Sequence, residues 1–323
     1  MTRPRRLSCL LLATAAASMA LLWAGAAIPN GFAQFASAKH QTARLAVHLR
    51  PGTATAACDL TVSLRPDGQP AVTRGSYMAK IKERGYLIAG VSLSTYHFGY
   101  LNPLDNQIEG FDIDMVKAVA AAIFGTANGH IKFVAVTNDQ RIPAIKSGEV
   151  DIVAHTMTIT CARLEDVDFS TVYLDPPQRV LVQRNSTATQ LGSFAFGNGP
   201  KDLVCATAGS TSLGPIDSAG VQAVAVPNDA DCLVLLQEGK VGAISTDETI
   251  LQGLHAQDPE TKIIGPPLSY QPYGLAISQQ HPDFVRFVNA VLARLRTDGQ
   301  WVASYQHWIG TPVPAPPPAH YRD

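Results

Sequence analysis

The sequence predicts an α/β fold of two similar lobes, each built on a doubly wound sheet, joined by two crossover strands that form a hinge. Three observations predict it. Apolar strand-like runs alternate with amphipathic helical stretches from Leu87 to Trp308, the pattern of mostly parallel α/β architecture. A short internal repeat places Lys146-Ser147-Gly148-Glu149-Val150-Asp151-Ile152-Val153 over Gln237-Glu238-Gly239-Lys240-Val241-Gly242-Ala243-Ile244. Each copy reads as a helix end, a glycine C-cap and a buried strand. Two Pro-containing stretches, Leu174-Asp175-Pro176-Pro177-Gln178 and Gly265-Pro266-Pro267, flank the second half. A chain of 323 residues, 46% hydrophobic and 16% charged, has room for two such bodies and is too apolar for wholesale disorder.

The elements follow in order. Residues 1–38 are expected to be a signal sequence or anchor, and residues 39–75 an extension or linker tied down at Cys58. Lobe 1 is expected to comprise residues 76–178 plus 268–311. It opens with a short helix, Ser76–Arg84, and a strand, Leu87–Val91. Asp112 reads as the N-cap of a helix carrying Ile113, Val116, Val119, Ala120 and Ile123 at three- and four-residue spacing, stopped by Gly125. A strand over Ile131–Val136, a helix over Asp139–Lys146 and a strand over Val150–Ala154 follow. Lobe 2, residues 179–267, repeats the theme with strands Leu203–Thr207, Val221–Val226 and Val241–Ser245. Its helices are Asp229–Gln237 and Asp247–His255. Residues 312–323 form a Pro-rich tail with no expected core role.

The N-terminus bears on the compartment. Basic residues in Met1–Arg6 precede an apolar run from Leu7 to Ala27, and no charge occurs from Leu7 to Ala38. Basic start, apolar core and small-residue exit, here Ala24-Gly25-Ala26 or Ala36-Ser37-Ala38, describe an export signal. The alternative is a retained anchor, since 21 apolar residues can span a bilayer. Either way the body is expected outside the cytoplasm, periplasmic or in the cell envelope. Removing residues 1–38 takes the net charge from −1 to −4, which offers nucleic acid no electrostatic footprint. Four cysteines then remain, Cys58, Cys161, Cys205 and Cys232. An oxidising compartment favours their bonding, with three pairings open. Scattered histidines and the absence of CxxC or HExxH spacing argue against a metal site, and no cofactor is expected.

Ligands of open α/β sheets bind at the carboxyl ends of the strands. After Val150–Ala154 come hydroxyl residues and Arg163; after Val241–Ser245 come Thr246 and Asp247. One cation and one anion at equivalent strand ends suit a zwitterion. Arg163 would pair bidentately with an α-carboxylate and Asp247 would accept from an α-ammonium. Glu109, Asp112 and Asp114 read as turn and cap residues.

Five segments carry a resemblance. They are Gly110-Phe111-Asp112-Ile113-Asp114, Arg141-Ile142-Pro143-Ala144-Ile145, Gly148-Glu149-Val150-Asp151, Thr156-Met157-Thr158-Ile159-Thr160-Cys161-Ala162-Arg163 and Asp168-Phe169-Ser170. In this order they resemble the polar amino-acid solute-binding proteins of ABC importers, over residues 76 to 310. The cysteine contexts and Ser245-Thr246-Asp247-Glu248-Thr249-Ile250 resemble the actinobacterial glutamine/glutamate-binding proteins. The resemblance implies a type II periplasmic-binding-protein architecture. It places Thr158 and Arg163 on the α-carboxylate, assisted by backbone amides near Ser210 and Thr211, and Asp247 on the α-amine. Tyr96 or Phe98 would supply an apolar wall. Arg141 resembles an arginine that reaches the side-chain carboxylate in binders of acidic amino acids, which favours glutamate or aspartate over glutamine. Thr207 stands where relatives sometimes carry a ligand-contacting side chain. Where many members have Pro-Glu this chain has Cys161-Ala162, a departure that points to a Cys58–Cys161 bond and leaves Cys205 with Cys232.

The implied function is binding without turnover, by a monomer that delivers its amino acid to an ABC permease. The alternative partner is a membrane-bound sensor of extracellular amino acids. An enzyme on the same fold, such as a dehydratase, is the contrasting class, but GxSxG, a phosphate-cradling glycine loop and a metal cluster are all missing from the sequence, and no catalytic residue is assigned.

Overall fold

The computed structural model describes residues 58–195 and 199–323. The signal or anchor expected over residues 1–38 and most of the extension lie outside the described residues. Two five-stranded sheets organise the rest, and they share one plan.

In lobe 1 the strands run in the order Ile131–Ala135, Leu87–Val91, Ile152–Ala154, Ala276–Ile277 and Asp168–Phe169. The first three are parallel, and Ala276–Ile277 is antiparallel to both neighbours. In lobe 2 the order is Ala223–Val226, Val204–Thr207, Ala243–Asp247, Gln178–Gln183 and Thr261–Ile264. Again three strands are parallel and the fourth, Gln178–Gln183, is antiparallel. In each sheet that fourth strand is laid down by the chain as it arrives from the other lobe. The internal repeat marks the third parallel strand of each lobe, Ile152–Ala154 and Ala243–Asp247.

Helices cover the sheets because their apolar stripes need burial. Phe111–Phe124 is capped by Gly110, not by Asp112. At Gly110 φ is +133°, and a Cβ there would lie 2.1 Å from the Phe98 carbonyl oxygen, so only glycine fits. Asp112 falls inside the first turn, is 1% exposed, and is held by tertiary contacts described below. The expected cap is thus a buried anchor. Asp114 likewise accepts from Ser304 Oγ and Trp308 Nε1, tying this helix to Gln300–Trp308. The largest core cluster packs Phe111, Val116, Val119, Tyr173, Tyr273, Phe284, Val288 and Trp301 together.

The extension and the tail differ from expectation. Val62–Ser63 pairs in parallel with His320–Tyr321. Ser63 Oγ donates to the Phe169 carbonyl at 2.6 Å, and buried Asn289 donates to Ser63 Oγ and the Leu64 carbonyl. Leu64, Val72 and Val313 pack on the lobe 1 core. Their short apolar side chains gave no period to read, yet each finds a place on the core surface. Cys58 is bonded to Cys161 and Cys205 to Cys232.

Candidate ligand-binding site

The strand ends converge on one polar cavity between the lobes. Lobe 1 lines it with Asn138, Arg141, Thr156, Thr158 and Arg163, and lobe 2 with Thr207, Ser210, Thr211, Asp229, Thr246 and Asp247 among others. Six of the eight residues expected from the sequence therefore meet here: Arg141, Thr158, Arg163, Ser210, Thr211 and Asp247.

Tyr96 and Phe98 are not among the lining residues. Phe98 is fully buried in the lobe 1 core, edge-on to Phe111 and Tyr273. The short hairpin Ser94–Thr95 to Gly99–Leu101 turns this side chain inward. Tyr96 packs on His97 and Tyr100. A loop aromatic reads alike from sequence whether it faces a ligand or the core.

Arg163 is the third residue of the four-residue helix Cys161–Leu164, whose N-cap Thr160 accepts from the Arg163 amide. Its guanidinium donates to the Thr158 carbonyl at 2.6 Å and, across the cleft, to the Gly209 carbonyl at 3.0 Å. Arg141 opens the helix Arg141–Lys146 and is 2% exposed. It is no solvated helix-start arginine. It donates to the carbonyls of Asn138, His155 and Gly209. Three of its five N–H groups are so engaged, which leaves two. Among the described residues neither arginine has a carboxylate within salt-bridge distance. Burial, then the neighbouring Arg163 charge, pushes Arg141 down to about 9, so it stays cationic at neutral pH.

The anions face them from lobe 2. Asp247 closes the strand Ala243–Asp247 and is 4% exposed. Its Oδ2 accepts from the Tyr273 hydroxyl, while its buried Oδ1 has no partner among the described residues. Burial, with the nearby Asp229 charge adding, pushes Asp247 up to about 7 against the Tyr273 hydrogen bond. Asp229, at the start of the helix Asp229–Gln237, is pushed up to about 6 by burial. It accepts from Thr95 Oγ1 at 3.3 Å across the lobes.

Several residues complete the site without having been singled out from the sequence. Asp229 stands three residues past the end of Ala223–Val226, and Asn138 three past Ile131–Ala135. The strand-end rule points to both when applied to every parallel strand. Gln271 accepts from Thr158 Oγ1 at 3.0 Å and Thr211 Oγ1 at 2.7 Å. It lies in the irregular return segment, where no periodicity signals it. Below the cavity floor Asp112 accepts from the Thr156 amide and the Tyr173 hydroxyl. Thr156 has φ +41°, a conformation L residues seldom adopt unaided, and the buried carboxylate holds it there.

Asn138 Nδ2 reaches Thr207 Oγ1 at 2.8 Å, and Thr158 Oγ1 lies 3.3 Å from Thr211 Oγ1. With the Gly209, Tyr273 and Asp229 contacts, these bridge the lobes in a closed cleft. Cations from one lobe, anions from the other and hydroxyls between them form a small polar chamber suited to a compact zwitterion.

The family model for bacterial extracellular solute-binding proteins, family 3, matches residues 87–311. The chain belongs to that family. This solute-binding protein is 34% identical over 234 residues to the glutamine-binding protein of an ABC transporter in Bacillus subtilis, covering 72% of this chain and 84% of that one. It is 29% identical over 231 residues to a glutamate-binding protein of Corynebacterium efficiens, covering 68% and 77%. Among solved structures, an ancestral arginine-binding protein bound to glutamine superposes with a TM-score of 0.64 at 31% identity, over 70% of this chain and 99% of that one. The two-lobed type II architecture expected from the sequence is thereby shown.

Proposed function

We propose that this solute-binding protein captures an acidic amino acid, glutamate or aspartate, outside the cytoplasm, with glutamine as a second ligand, and delivers it to an ABC permease without turnover. The observation that carries the reading is the pairing of needs in the cavity. Among the described residues Asp247 Oδ1 is a buried acceptor without a donor, and two guanidiniums line the same cavity without a carboxylate within salt-bridge distance. An α-ammonium on Asp247 and an α-carboxylate on Arg163 and Thr158 satisfy one set. A side-chain carboxylate on Arg141 satisfies the other. Relatives named for glutamine and for glutamate support an amino-acid ligand of this size and polarity.

A thermal-shift screen against the twenty amino acids tests it. Ligand that binds only the folded state stabilises by mass action, ~2.7 kcal/mol at a hundred times the dissociation constant. Shifts confined to glutamate, aspartate and glutamine support the reading. Shifts for cationic or apolar amino acids alone contradict it.

A further inference from the structure

Like Asp247, Asn138 is a lining residue with one side-chain polar atom engaged and one left over. Its Nδ2 donates to Thr207 Oγ1 across the cleft at 2.8 Å, while its Oδ1 is buried with no partner among the described residues. Its own carbonyl accepts from Arg141 Nε at 3.0 Å, and both residues line the same cavity. As placed, the pair offers a donor, Arg141, next to an acceptor, Asn138 Oδ1. That is the complement of a carboxamide, which has one C=O and one NH2. A carboxylate has no donor to give Oδ1.

The partner on the other side removes the difficulty. Thr207 Oγ1 is a hydroxyl, which both donates and accepts. If the Asn138 amide turns by half a revolution, the hydroxyl donates to Oδ1 and Nδ2 faces the ligand. The hydrogen bond to Thr207 survives in either setting, and the cavity now presents two donors, the complement of a carboxylate. We infer that Asn138 and Thr207 form a reversible amide–hydroxyl pair that lets one site accept both an acidic amino acid and its amide. This rests on the amino-acid reading above and adds which residues set its breadth.

The pair makes two measurable claims on the whole protein. Calorimetric titrations should give glutamate and glutamine affinities within about tenfold of each other, since each ligand meets a satisfied partner. In NMR of the two complexes, the Asn138 Nδ2 protons should show a strong NOE to the Thr207 methyl with glutamine bound and lose it with glutamate bound. Asn138→Asp, which removes the donor, should weaken glutamate at least tenfold more than glutamine. An unchanged NOE pattern between the complexes, a preference above a hundredfold in the native protein, or equal losses in the variant would each overturn the inference while leaving amino-acid binding standing. No heat with glutamate, aspartate or glutamine would instead remove the amino-acid reading, and this inference with it.

Discussion

The Tyr273 hydroxyl, on the segment that returns the chain to lobe 1, donates to Oδ2 of Asp247 at a strand end of lobe 2. The bond joins the lobes and orients the carboxylate. It also favours the ionised form that an ammonium ligand needs. Tyr273→Phe should therefore weaken amino-acid binding at pH 7 by about 1.5–3 kcal/mol, the range for a hydrogen bond to a charged group. Calorimetry on the variant checks this, and an unchanged affinity would remove the bond from the binding mechanism.

Proton linkage gives a second prediction. Asp247, pushed up to about 7 by burial, must be ionised to hold an ammonium group. Affinity should thus rise as pH increases through about 7, with proton release visible as a dependence of binding heat on buffer ionisation enthalpy. Stability of the unliganded protein runs the other way. A carboxyl whose folded pKa lies above its unfolded one stabilises fully below about pH 4 and loses that contribution as pH rises through about 7. Asp112 and Asp229, each pushed up to about 6 by burial, act in the same direction. His155, pushed down to about 3 by burial, acts oppositely between about pH 3 and 6.5. The comparison with Asp247→Asn isolates one group. That variant should be the more stable protein at pH 8, by on the order of a few kcal/mol, and match the native protein at pH 4. Denaturant melts at both pH values read the difference.

Closure has its own close contact. A Cβ at Gly253, on the lobe 2 helix Glu248–Gln257, would lie 2.7 Å from the Tyr96 carbonyl oxygen of lobe 1. Backbone cannot swing aside there as a flexible side chain would. Gly253→Val should keep the fold but hold the lobes apart, lowering affinity at least tenfold. Small-angle scattering should then show little compaction on adding ligand. Normal compaction with normal affinity would show that the lobes close without this contact.

The two disulfides should behave differently. Cys58–Cys161 closes a separation of 103 residues and both its cysteines are exposed; Cys205–Cys232 spans 27 and is fully buried. Loop entropy assigns them about 4.7 and about 3.5 kcal/mol. Cys161 lies two residues before Arg163, on the same short helix, and the extension carrying Cys58 is pinned to lobe 1 through Ser63. Replacing Cys58 and Cys161 by serine should lower both the melting temperature and the ligand affinity. Replacing Cys205 and Cys232 should lower the melting temperature alone. Equal affinity in the first variant would mean that the turn holding Arg163 needs no clamp.

Much of this site is legible in the sequence. Arg163 and Asp247 follow from one rule, that ligands sit at strand ends, applied to the repeated helix–glycine–strand unit. Asp229 and Asn138 obey the same rule on the neighbouring strands. Gln271 was not legible, because irregular backbone gives a side chain no periodic address. Asp112 misleads for a physical reason. An aspartate at a helix start normally caps it, and only the distant Thr156 and Tyr173 convert it into a buried anchor. Phe98 misleads likewise, since the hairpin that turns it inward is set by packing on Phe111 and Tyr273.

The most direct test of the account is a calorimetric titration of glutamate into the native protein and into Arg163→Ala, Arg141→Ala and Asp247→Asn. The account predicts one site per chain in the native protein. Arg163→Ala should lose roughly 2–5 kcal/mol, as when a buried charge is left unpaired, and Asp247→Asn a comparable amount. Arg141→Ala should cost glutamate far more than glutamine. Native-like affinity in Arg163→Ala and Asp247→Asn would contradict it, because the ligand would then lie outside the cavity these residues line.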